Sequence, residues 1–197
     1  NLNSKIYLDK DNAYLQMKVL TKIFSSTIGE ERLPMLIVDK NQNKVQNGEM
    51  MSAKSAAING FSLFGKEHTF LLHADGNINY KILNQFLDRN SNKSFLIFGF
   101  TSLVYENLVE KLNLNSISNN FENGVLIHGG GWKKMENKKV RNKDFKNLLK
   151  EKLSLKKIYN YYGLVEQTGS IFFECKKCSC FRTSVFSELL IRDKDFN

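Results

Sequence analysis

Cysteine is scarce in this chain, proline almost absent, and acidic residues are outnumbered. Its 197 residues hold 3 Cys, 1 Pro and 20 Asp+Glu against 29 Lys+Arg. Long apolar runs are also missing. The longest, such as SFLIFGF at residues 94–100, fall far short of the roughly 20 residues that span a bilayer. No charged-then-apolar export signal opens the sequence. These absences argue against a membrane span and a secreted protein, and the expected location is the cytoplasm. The cysteines crowd into CKKCSC as Cys175, Cys178 and Cys180. An odd, clustered set is not a disulfide framework, so the thiols are expected to be reduced, with or without a metal. No internal repeat and no Pro/Gly/Ser linker marks a domain boundary.

What is present is 42% hydrophobic residues, enough for one substantial core. The formal net charge is +9, with lysines densest from Lys133 to Lys157. The plainer reading of that stretch is a solvated face; the sharper one is attraction to an anion such as a nucleotide. No nucleic-acid-binding motif accompanies the charge, so a nucleic-acid partner is not expected.

Apolar patterning predicts alternating strands and helices. SKIYLD reads as a strand. Asp9 or Asp11 is placed to cap a helix over NAYLQMKVLTKIFSST, with Leu15, Val19, Leu20, Ile23 and Phe24 on one face and Gly29 at its end. LPMLIVD, HTFLLH, SFLIFGF, GVLIHG and KIYNYYG read as further strands. The polar NQNKVQNGE reads as a loop. Helices are expected over MSAKSAAINGFSLFG (ending at Gly65), NYKILNQFLDRN, SLVYENLVEKLNL and NKDFKNLLKEKL. SIFFEC and SELLIRD follow as two strands with no helix between them. The expected fold is α/β, a mostly parallel sheet with flanking helices and a small antiparallel appendage near the C-terminus.

Ligands of such sheets bind beyond the carboxyl ends of strands. Two loops stand there. The first is HGGGWKK, where Gly129, Gly130 and Gly131 let the backbone approach a ligand closely. It is neither a Walker loop nor a G-x-G-x-x-G turn into a helix; its plainer reading is a strand-exit turn. The second is NYYGLVEQTG. There Tyr162 can stack on a base, and Glu166, beside Gln167, can take Mg²⁺, a cation that prefers oxygen ligands. The plainer reading makes Tyr161 and Tyr162 core or rim aromatics and Glu166 a turn residue.

In combination, the two loops resemble the adenylate-forming superfamily. Tyr162, Gly163 and Glu166 match its Y-G-x-T-E motif, with Val165 where the threonine usually stands, and Gly129 to Gly131 match its adenine-flanking glycine loop. HGGGWKK with NYYGLVEQTGSIFFEC, RLPMLIVD and FLIFGFTSLVY narrows the resemblance to LuxE-type acyl-protein synthetases over essentially the whole chain. The resemblance implies a partial adenylate-forming N-terminal domain. It implies ATP- and Mg²⁺-dependent activation of a fatty or other carboxylic acid and transfer of the acyl group to a protein cysteine, with acyl-transferase or reductase proteins as partners. The glycine loop, Tyr162, Gly163 and Gln167 would serve the nucleotide, and Glu166 the metal and catalysis.

By the same resemblance, residues 1–197 are one adenylation domain truncated at both ends, lacking the triphosphate loop and the C-terminal lid, and inactive alone. SAAINGFSLFG, with Phe61 and Phe64, is either an acyl-tunnel wall or ordinary helix packing. The alternatives to a protein-acylating ligase are an acyl-CoA ligase of the phenylacetate–CoA ligase type and a non-enzymatic basic module. On any of these readings, Cys175, Cys178 and Cys180 are a candidate structural Zn²⁺ site with His128, His73 or an acid as fourth ligand, or else a cysteine-rich turn between two strands.

Overall fold

The structure is a computed structural model that describes residues 9–41, 53–138, 140–163 and 171–193. The chain divides into two compact units, Glu31–Asn160, and Asn1–Glu30 with Tyr161–Asn197. The predicted strand SKIYLD and most of the NQNKVQNGE loop lie outside the described residues.

The larger unit is a sheet with strand order β2-β1-β3-β4-β5. Its strands are β1 (Leu33–Lys40), β2 (Gly65–Leu72), β3 (Phe95–Phe100), β4 (Gly124–Gly129) and the first residues of β5 (Lys157–Gly163). β1 runs parallel to β2 and to β3, and β3 parallel to β4 in unbroken register from Phe95↔Gly124 to Phe100↔Gly129. β1, β3 and β4 are buried almost end to end. Strands covered on both faces read as continuous apolar runs without alternation, as LPMLIVD and SFLIFGF do.

The covering helices follow from periodicity. α3 (Tyr80–Arg89) buries Leu83, Phe86 and Leu87, an i, i+3, i+4 stripe. It is capped by Asn79, whose side chain accepts from the Ile82 N–H at 3.1 Å. α5 (Asn142–Leu153) buries Phe145, Leu149 and Leu153 and ends at Ser154 in the left-handed region (φ 58°). The segment after β3 starts as α4 (Thr101–Val104) and widens into a π-helix over Tyr105–Lys111.

One boundary departs from expectation. α2 covers Ala53–Ser62, and Gly65 opens β2 instead of ending the helix. The physical reason is close packing: a Cβ on Gly65 would lie 2.5 Å from the Met35 sulfur of the neighbouring strand.

The smaller unit is built differently. α1 (Lys10–Ile28) is capped as expected by Asp9, which accepts from the Asn12 N–H at 2.7 Å, and ends at Gly29. Of its expected apolar face, only Ile23 and Phe24 are buried; Leu15 is exposed. Phe24 meets Phe173 edge-on at 6.3 Å. The end of β5 pairs antiparallel with β6 (Ile171–Glu174), and β6 with β7 (Phe181–Arg182). The antiparallel appendage is therefore present, but SELLIRD is not its second strand. Residues 187–193 have no regular structure, and Leu189, Leu190 and Ile191 are exposed. Among the described residues, the apolar pattern there finds no covering layer and no ladder. Among the described residues, no helix is long and apolar enough to cross a membrane.

Candidate functional site

The glycine loop leaves β4 at its carboxyl end. Gly129 is still buried and paired with Phe100, whereas Gly130 and Gly131 are exposed. Gly130 has φ +78°, and an added Cβ would meet the Phe100 ring at 2.9 Å. A β-carbon is thus excluded both by conformation and by space. Trp132 then turns back into the core, edge-on to Tyr105 at 5.0 Å and to Phe145 at 5.9 Å. A 3₁₀ segment over Lys133–Lys138 follows.

His128, just ahead of the loop, is 1% exposed. Its Nδ1 lies 3.1 Å from Thr101 Oγ1, which also donates to the Gly129 carbonyl at 3.1 Å. The ring stands edge-on to Phe145 at 4.9 Å. Burial pushes its pKa down to about 3, with Lys146 adding to the effect. A neutral imidazole therefore sits beneath the loop at ordinary pH.

The lysine-rich stretch is largely a solvated face, as the plainer reading has it. Lys138 pairs with Glu110 at 2.8 Å and Lys156 with Glu122 at 2.5 Å, all at partly or fully exposed positions.

The second candidate group begins in the smaller unit. Tyr161 is buried, and burial pushes its phenol up to about 12. Tyr162 faces the other way and is 50% exposed, its ring tilted against Phe172 at 6.3 Å and Phe181 at 6.1 Å. Strand alternation explains the split, and leaves Tyr162 as the tyrosine free to meet a ligand. Gly163, also exposed, ends β5. Glu166 and Gln167 lie outside the described residues.

Two expectations are corrected or narrowed. Phe61 is 5% exposed and stacks on Phe98 at 4.5 Å, so it serves the core rather than an open tunnel. Zinc finds no support: among the described residues, no group of three His, Cys, Asp or Glu side chains is arranged to hold a metal. Cys175, Cys178 and Cys180 sit in the β6–β7 turn, the last two exposed. Of the suggested fourth ligands, His128 is committed to Thr101 and His73 lies 3.4 Å from Asn79. The turn does activate a thiol. The Cys180 N–H, the Cys175 thiol and Arg182 bring the Cys178 thiol down to about 7.

Sequence reasoning missed Thr101 and the buried Asp39, which ion-pairs with Lys54 at 2.6 Å. Both stand at carboxyl ends of strands, the position that could have drawn attention to them.

The family model described as acyl-protein synthetase, LuxE, matches residues 1–197. Similar solved structures include coronafacic acid ligase from Pectobacterium brasiliense and a point-mutant form of that ligase. Each is 16% identical with a TM-score of 0.45, over 80% of this chain and 27% of the ligase. The chain thus spans about a quarter of the length of those ligases. No curated protein matches the sequence significantly.

Proposed function

The chain belongs to the LuxE acyl-protein synthetase family, and from that membership we propose that its protein activates a carboxylic acid, a fatty acid foremost, with ATP and passes the acyl group to a protein thiol. The family match over the whole chain is the observation that carries this reading. Two local features support it, one in each unit: Gly130 and Gly131 present bare backbone at the end of a buried strand, and Tyr162 offers an exposed ring.

The chemistry runs in two steps. An acid oxygen attacks the α-phosphorus of ATP and pyrophosphate leaves, giving an acyl-adenylate. A cysteine thiolate then attacks the activated carbonyl and AMP leaves. By the family's pattern, Gly129, Gly130 and Gly131 would serve the adenosine, and Tyr162, Gly163 and Gln167 are assigned to the nucleotide as well. Glu166 serves as the carboxylate that holds Mg²⁺, which neutralises phosphate charge when bound. The reaction is placed in the cytoplasm, and an acyl-transferase or reductase is the partner class that would supply or consume the acyl group.

Glu166→Gln tests the assignment. The amide keeps the size and removes the charge, so acid-dependent pyrophosphate exchange by the full-length protein should fall by about 10²-fold with the melting temperature unchanged. Normal exchange would reduce Glu166 to a turn residue. Labelled acid recovered on protein, and not on coenzyme A, separates acyl-protein formation from acyl-CoA synthesis.

A further inference from the structure

We propose that Thr101 and His128 form a two-link brace that holds the first carbonyl of the glycine loop and so sets where the loop meets the nucleotide; this rests on the nucleotide-site reading above. The Thr101 hydroxyl has one proton and two neighbours, the Gly129 carbonyl and His128 Nδ1, each at 3.1 Å. A carbonyl only accepts, so the proton points to Gly129. The hydroxyl must then accept from the ring, which puts the hydrogen of the neutral imidazole on Nδ1. His128 Nε2 is left bare, and it has no hydrogen-bond partner among the described residues.

A buried acceptor without a donor is destabilising. A leucine or phenylalanine would fill the slot against Phe145 without that cost, so packing alone does not account for a histidine here. The Nδ1–H does. It locks the Thr101 hydroxyl in the orientation that holds Gly129, one residue before the chain reverses through Gly130 at φ +78°. Fixing that carbonyl fixes the plane of the peptide that follows, and with it the direction of the Gly130 N–H. Thr101 and His128 are therefore positioning residues that need not touch substrate.

The test has two arms, both on the full-length protein. Nitrogen-15 NMR of the histidine rings should show His128 with hydrogen on Nδ1 and a bare Nε2; hydrogen on Nε2 would overturn the brace. In the second arm, Thr101→Val, which keeps the shape and loses the hydroxyl, should weaken binding of a non-hydrolysable ATP analogue by about tenfold. Acid binding should barely move, the melting midpoint should fall because the His128 Nδ1–H and the Gly129 carbonyl lose their partner, and Thr101→Ser should restore nucleotide affinity. A valine variant with unchanged affinity, or one that loses acid and nucleotide binding equally, refutes the positioning role. An unmodified protein that binds no nucleotide, yet shows the Nδ1–H ring, refutes the functional reading and the nucleotide role together, leaving the hydrogen-bond chain as structure alone.

Discussion

The larger unit buries three of its strands, β1, β3 and β4, almost end to end, whereas the smaller one leaves much of its described apolar surface bare. In β4, every residue from Gly124 to Gly129 is buried. In the smaller unit, Val185 is 94% exposed and Ile191 88%. The difference shows that an apolar residue acquires structural meaning only from the layer that covers it. β1, β3 and β4 each have ladders and helices to satisfy both faces and backbone; the leucines of 187–193 have neither among the described residues.

The largest effect that sharpens this contrast is truncation of a covered side chain. Leu126→Ala in β4, at 0% exposure, should cost about 2–5 kcal/mol in denaturant unfolding. Ile191→Ala should stay within about 0.5 kcal/mol. Similar costs at the two positions would break the comparison.

Acid should expose the enclosed histidine of the larger unit. The folded pKa of His128, about 3, lies below the ordinary 6.5. As pH falls between these values the unfolded chain takes a proton that the folded chain refuses, so stability is complete above about 6.5 and declines toward 3. Between pH 7 and pH 5 the decline should be about 2 kcal/mol. His128→Asn, which keeps a donor for Thr101, should lose that part of the pH dependence. Parallel unfolding curves at the two pH values would place His128 in contact with water.

The helix caps make a finer comparison. Asn79→Ala at the head of α3 should cost about 1 kcal/mol. Asp9→Ala should register mainly as lost helix signal at the first turn of α1, whose early residues are exposed. The smallest effect belongs to Cys178. Iodoacetamide at pH 7 should modify it ahead of Cys175 and Cys180, because its thiol sits at about 7 and the thiolate is the nucleophile. Melting should not change, since the side chain is exposed.

Sequence reading was sharpest where a buried strand meets polar punctuation. GVLIHG, NKDFKNLLKEKL and KIYNYYG match β4, α5 and β5 residue for residue. It erred where one local pattern serves two outcomes. SELLIRD has the composition of a strand but no ladder among the described residues, and FSLFG reads on as helix although Gly65 must lie against Met35. In the candidate site, the glycine loop and the tyrosine strand end were legible as residue types at strand exits. Thr101 was not, because a threonine after a strand has no signature until His128 and Gly129 are seen beside it.

By itself, then, the sequence determined the order of helices and strands from α1 to β6, the apolar faces of α3 and α5, and the family, because periodicity and motif spacing are local properties of the chain. The tertiary structure alone decided that His128 is neutral, that its Nδ1 meets Thr101, that Gly130 admits no side chain and that Tyr162, not Tyr161, is exposed. Each of these depends on what another part of the chain brings within a few ångströms, and neither composition nor spacing encodes that directly.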